Sequence, residues 1–212
     1  MDPFGPAWTN HMDRLESNWE KSVGRADTVV IAGDIDWALR LEDAVFTLKR
    51  LDTWNGNKVM IRGNHDYWWS SKTTNKVRRI LPPSLRLVHN DSVVVEEVNV
   101  CGAKGSPVPG GIDWTPENDR LLRREVQRLR LSLDSRQPEL ATIVALHYPP
   151  FYPGIGSSPY KVMLEEFGVG CCVFGHLHGD AASSGPNGVV DGVEYRLVAG
   201  DYVHFEPVQV WG

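Results

Sequence analysis

Four short apolar runs in this 212-residue chain end in the same way, giving way to side chains that can hold a cation or move a proton. VVIA (29–32) runs into Gly33 and Asp34. KVMI (58–61) is followed, after Arg62, by Gly63, Asn64, His65 and Asp66. TIVAL (142–146) runs into His147, and CCVF (171–174) into Gly175, His176, Leu177 and His178. Polar groups drawn out of water need partners. Amides, imidazoles and carboxylates at the ends of buried strands must therefore pair with one another or face something bound. These are oxygen and imidazole donors without a thiolate, a set that suits Mn, Fe, Zn or Mg better than a soft metal. The glycines beside them permit tight turns and close backbone approach. His-x-His at 176 and 178 can present two imidazoles to two different ions.

The elements that must position these residues follow from apolar periodicity. One helix is predicted from an N-cap at Thr9 to about Val23, with Met12, Leu15, Trp19 and Val23 on one stripe. A second covers 41–54 through Leu41, Ala44, Val45, Leu48 and Leu51. Residues 28–33 and 58–63 read as short buried strands, so the first third is a βαβ unit. A short helix near 71–80 follows. The closely spaced runs LRLV, SVVVEEV and NVCGA predict an antiparallel meander. A Pro/Gly-rich loop covers 105–114, and Thr115 with Pro116 opens a charged helix to about Leu133. Residues 142–148 form another buried strand, and Ser158-Pro159 starts a helix that ends at Gly168. Residues 171–175 are a strand, 189–198 a hairpin turning at Asp191-Gly192, and PVQVW (207–211) closes the chain. The order predicts a single α/β domain over 1–212, with two packed mixed sheets and helices outside. Ligands bind at the carboxyl ends of strands in such sheets, so the four ends would converge Asp34, Asn64, His65, His147, His176 and His178 on one place.

Composition narrows the class of partner. Hydrophobic content of 42% and charged content of 23% are those of an ordinary globular domain. A net charge of −5 argues against a nucleic-acid binder that works by neutralising many phosphates, and leaves room for a small phosphorylated substrate. No apolar run approaches the ~20 residues needed to cross a bilayer, so no membrane partner is expected. The first fifteen residues lack the basic start and apolar core of a signal peptide. Cys101, Cys171 and Cys172 give no disulfide framework. They read as buried thiols in a reducing compartment, the cytoplasm, with the adjacent pair on opposite faces of a strand.

GD, GNHD, H and GHLH, in this order and each at a strand end, resemble the motifs of the calcineurin-like metallophosphoesterase superfamily over nearly the whole chain. The links GDIDWALRLEDA, GNHDYWWSS, LHYPPF and GHLHG are similar to those of a group of bacterial members. The resemblance implies a sandwich of two sheets and a hydrolase of phosphomono- or phosphodiesters. It implies that Asp34 bridges two divalent metal ions, that Asn64, His147 and His176 complete the shell of one, and that His178 binds the other. His65 and Asp66 are the implied catalytic pair: His65 protonates the leaving group or holds a phosphoryl oxygen, and Asp66 accepts its other ring proton. The implied chemistry is a two-metal in-line displacement, with ions ~3.5–4 Å apart.

One motif departs from the pattern. The family opens with a strand ending in Asp-x-His, and no Asp-x-His occurs in these 212 residues. In the related group a segment similar to MDPFGPAWTNH lies just after that motif, so the resemblance implies an N-terminally truncated domain without its first strand. The ion shared by Asp34 and His178 would then bind weakly. The sheet would lack a strand, and this chain would be poorly stable and weakly active. Asp36, His11 and Asp180 are weak substitutes for the absent ligands.

Two rival readings stand beside this one. The first is a nucleotide or nucleic-acid phosphodiesterase, which a basic groove leading to His65 would favour. The second is a non-catalytic metal-binding scaffold, against which His65 and Asp66 argue, since a scaffold has no use for a leaving-group acid. Arg120, Arg123, Arg124, Arg128 and Arg130 are interspersed with Glu117, Asp119 and Glu125 and read as a solvated helix face. Tyr67, Trp68 and Trp69 read as packing beneath the site, with stacking on a base or aryl group as the alternative. Loops 104–115 and 149–158 are expected to wall the pocket.

Overall fold

The first strand, β1 (Thr28–Ile31), is followed by helix α2 (Leu41–Thr53) and by β2 (Asn57–Met60), which pairs with β1 in parallel. Helix α1 (His11–Ser22) precedes them. This computed structural model describes residues 5–211. Helix α3 (Thr74–Ile80) carries the chain to β3 (Leu85–Leu87), which joins the other edge of β2 in parallel and completes a three-stranded sheet, β1-β2-β3. The second sheet has the order β4-β5-β6-β7-β9-β8. Its strands are β4 (Val93–Val95), β5 (Val98–Ala103), β6 (Ala141–Leu146), β7 (Cys171–Phe174), β8 (Gly188–Val190) and β9 (Val193–Leu197). Helix α4 (Asp119–Asp134) links β5 to β6 and α5 (Pro159–Glu166) links β6 to β7.

The fold is α/β, two sheets flanked by helices, as the sequence predicts. The predicted meander is replaced by something else. Strand β3 has alternating burial and pairs in parallel with β2, because α3 returns the chain to the first sheet. Of the predicted meander, only the part that becomes β4 and β5 forms an antiparallel hairpin, turning through Glu96 and Glu97, both at positive φ. The later strands β5, β6, β7 and β9 are all parallel neighbours, and only β8 is antiparallel, through the Asp191-Gly192 turn. The first helix also starts later than Thr9: Asn10, in the left-handed region, is its N-cap. Residues 207–211 join no ladder.

Alternating strand residues build three apolar layers. Between the sheets, Val59 and Ile61 of the first meet Val100, Ile143, Ala145, Cys171 and Val173 of the second. On the outer face of the first sheet, Met60 packs with Trp19, Leu48, Leu51, Trp69 and Val77. On the outer face of the second, Cys172, Val144 and Leu146 pack with Leu129 and Leu133 of α4 and with Tyr160 and Leu164 of α5. Cys171 and Cys172 therefore do face opposite layers, and all three cysteines are buried free thiols. Strand β1 differs from its expectation: all four of its residues are only half-buried, because among the described residues β1 is an edge strand paired on one side alone.

Candidate metal centre

Strand register brings the four motifs together. Ile31 lies opposite Met60, and the ladder continues through the hydrogen bond from Ile61 N–H to the Ile31 carbonyl, so Gly33-Asp34 runs beside Gly63-Asn64. Leu146 lies opposite Phe174, and the Gly175 N–H donates to the His147 carbonyl, so His147 sits beside the Gly175-His176 turn. The Lys104 carbonyl accepts from both His147 N–H and Tyr148 N–H, which fixes the end of β6.

The first two turns approach too closely for side chains. A Cβ on Gly33 would stand 2.6 Å from Gly63 N, and a Cβ on Gly63 would stand 2.0 Å from Asp34 Oδ1. Gly33 is at φ 90°. Asp34 (φ 56°) and His176 (φ 71°) are themselves in the left-handed region, an unusual conformation for residues with a Cβ and one that gathers at functional sites.

Asp34, Asn64, His147 and His176 meet at one point. His147 Nε2 lies 2.5 Å from Asn64 Oδ1 and 3.5 Å from Asp34 Oδ2. His176 Nδ1 lies 3.2 Å from Asn64 Oδ1 and 3.3 Å from His147 Nε2. The far side of each ring is held as well. His147 Nδ1 donates to the Ala32 carbonyl at 2.9 Å, and His176 Nε2 lies 2.8 Å from Asp113 Oδ2. Burial pushes the His147 imidazole down to about 4 despite Asp34 beside it, and burial lowers His176 too. Among the described residues no three His, Cys, Asp or Glu side chains are spread around a common point in the manner of a formed ion cage; the donors touch one another instead.

The other motif residues sit around this cluster. His178 turns away from it: its Nδ1 lies 2.7 Å from Asp201 Oδ1, and its ring packs edge-on against Trp8. The ring of His65 is stacked on Trp37 with centroids 4.2 Å apart, and its Nδ1 lies 2.9 Å from the Tyr67 hydroxyl. Its backbone N–H donates to Asp34 Oδ1.

Asp66 does not fill the expected orienting role. Its carboxylate is fully buried and accepts four backbone N–H groups: those of Gly63 and Asp34 on one oxygen, and of Ile35 and Asp36 on the other, at 2.7–3.1 Å. Asp66 thus ties the two ligand turns together. Burial is the largest influence on its pKa, raising it to about 6 against the lowering effect of the Gly63, Asp36 and Ile35 N–H bonds. The ring partner of His65 is Tyr67, a neighbour that only the structure reveals. Trp68 and Trp69 are core residues, whereas Tyr67 is half exposed beside His65. Asp36 accepts from Ala38 N–H and the Thr47 hydroxyl, which occupies it as a local cap.

The family model for calcineurin-like phosphoesterases matches residues 7–180. The chain belongs to the calcineurin-like phosphoesterase family. Its fold is similar to that of the phosphopantetheinyl hydrolase PptH from Mycobacterium tuberculosis, at 15% sequence identity and a TM-score of 0.56, over 88% of this chain and 86% of that one. No curated protein matches the sequence itself. The motifs that carry the family, from Gly33-Asp34 to His178, lie within the matched span.

Proposed function

We propose that this family member is a metal-dependent hydrolase of phosphomono- or phosphodiesters. The carrying observation is the convergence of lone pairs. With its Nδ1 proton committed to the Ala32 carbonyl, neutral His147 turns an unprotonated Nε2 toward Asn64 Oδ1, Asp34 Oδ2 and His176 Nδ1. Acceptors facing acceptors in a buried place repel one another unless a cation sits among them. The donor chemistry fits a divalent ion of the Mn, Fe, Zn or Mg kind. Asp34, Asn64, His147 and His176 would hold one ion, and Asp34 with His178 would contribute to a second. Bound there, such ions would bind phosphoryl oxygens, offset transition-state charge and lower the pKa of bound water.

The protein's own proton chemistry centres on His65. A Tyr67 hydroxyl donating to Nδ1 leaves the ring proton on Nε2, where it is available for a departing alkoxide or phenoxide. The Trp37 face holds the ring plane. Asp66 contributes by fixing the turn from which His65 projects. Four of the five arginines of α4 are engaged with acids, Arg123 with Asp119, Arg124 and Arg128 with Glu125, and Arg130 with Glu166, which favours a small substrate over a nucleic acid.

The test is hydrolysis of bis-p-nitrophenyl phosphate by the Mn²⁺-loaded protein. Replacing His65 with Ala should lower kcat by about 10²–10⁴ without changing the metal content. A metal-binding scaffold would show full metal content and no turnover in either form.

A further inference from the structure

Among the described residues three buried side-chain atoms able to hydrogen-bond have no partner, and two of them, Glu125 Oε2 and His89 Nε2, belong to residues that line one cavity. The cavity lies between the end of β2, the turn after β3, the end of β5 and α4, and Arg62, Lys104 and Arg128 are also in its wall. None of the residues placed at the metal centre lines it. It encloses about 280 Å³, part of it open to solvent, and its fully clear space suits a guest of a few atoms.

Donors and acceptors on this wall do not balance. Glu125 is fully buried, and its Oε1 accepts from Arg128 Nη1 at 2.7 Å and Arg124 Nε at 3.3 Å. Its charge is thereby paired, while the lone pairs of Oε2 are unused. The Lys104 ammonium lies 5.1 Å from the centre of the Tyr148 ring and makes no hydrogen bond or ion pair among the described residues. Arg62 spends its Nε on the Asp66 carbonyl at 3.3 Å and keeps both terminal nitrogens unused. Charges and polar groups drawn out of water without partners are costly. A guest that relieves this wall must accept several N–H bonds and donate one proton to a carboxylate oxygen. A cation fails the first demand and a fully ionised anion the second. Water meets both, but leaves the excess positive charge of Arg62, Lys104 and Arg128 over Glu125 in place.

We propose that this cavity binds inorganic phosphate in a protonated form, with Lys104 and Arg62 donating to its ionised oxygens and Glu125 Oε2 accepting the proton of its P–OH group. The inference does not depend on the metal-centre reading. Inorganic phosphate keeps at least one proton near neutral pH, whereas sulfate, of the same shape, keeps none. Bonds from cations to an oxyanion, and from a hydroxyl to a carboxylate, are charge-assisted and strong. Sulfate would set its lone pairs against those of Glu125 Oε2, so the carboxylate selects for phosphate.

The test is calorimetric titration of the EDTA-treated, metal-free protein near pH 7 with sodium phosphate and, separately, with sodium sulfate. One phosphate should bind per chain, and sulfate about 10–100-fold more weakly, the cost of facing a buried acceptor without a proton for it. Lys104→Met, which keeps the length of the side chain and removes its charge, should weaken phosphate binding about 10-fold or more without lowering the melting temperature. Glu125→Gln keeps an oxygen for Arg124 and Arg128 and turns an amide N–H₂ toward the cavity, so it should bind the two anions with similar affinity. The native comparison and Lys104→Met decide the matter even where Glu125→Gln fails to fold. A native chain that binds no phosphate, equal native affinities for phosphate and sulfate, or unchanged phosphate affinity in Lys104→Met would overturn the inference. Such a failure leaves the metal reading untouched, because the titrated protein holds no metal.

Discussion

The working parts of the site are donors whose far ends are already occupied. His147 is tied to the Ala32 carbonyl, His176 to Asp113, His178 to Asp201 and His65 to Tyr67, so each ring has a defined direction before any ligand arrives. Asp66 does for the backbone what these partners do for the rings, by gathering four N–H groups from two turns. Replacing it with Asn leaves two of those donors without an acceptor. Unsatisfied buried donors cost about 1–3 kcal/mol each, and we expect Asp66→Asn to lower the melting temperature by about 5 °C or more and to weaken Mn²⁺ binding with it. A variant of native stability and metal affinity that lost only turnover would instead make Asp66 a participant in the chemistry. At this scale the sequence shows the donors well, because Asp34, Asn64, His147 and His176 each end an apolar run. It shows their partners poorly. Asp113, Asp201, Trp37 and Tyr67 lie in loops whose residue types carry no periodic signal, and only the tertiary fold brings them to the rings.

Strand register is what turns scattered motifs into a site. The pairings Ile31 with Met60 and Leu146 with Phe174 put Asp34 beside Asn64 and His147 beside His176, and Gly33 and Gly63 let the first two turns touch. Apolar runs bounded by glycine made these strands readable from sequence alone. The misread meander has an equally physical cause. Short β-branched runs with little between them look alike whether they pair with each other or with distant strands, and the return of β3 to the first sheet depends on how α3 packs through Val77. Strand β1 is the element with an unmet demand. Its sequence is that of a buried strand, yet its residues are half-buried and one edge has no ladder among the described residues.

Over the whole molecule, three apolar layers hold two sheets between helices, and most of the polar residues placed within those layers are satisfied. Partly buried His89, outside those layers, is not. Its Nε2 has no hydrogen-bond partner among the described residues, and burial, reinforced by Arg128 and Arg78, lowers its pKa to about 4. The unfolded chain takes up that proton near pH 6.5 and the folded chain only near 4. Between those values the unfolded state binds more protons, and stability falls as pH falls. Urea unfolding of the native chain and of His89→Gln at pH 7 and pH 5 should show a smaller acid loss in the variant, and equal losses would assign the acid sensitivity elsewhere. The central claim, that the converging lone pairs of Asp34, Asn64, His147 and His176 hold a divalent cation, is tested most directly by elemental analysis of the native chain and of His147→Ala after loading with Mn²⁺ and removal of the excess. The account predicts at least one ion per native chain and its loss in His147→Ala. No bound ion in the native chain, or equal content in both, would contradict it.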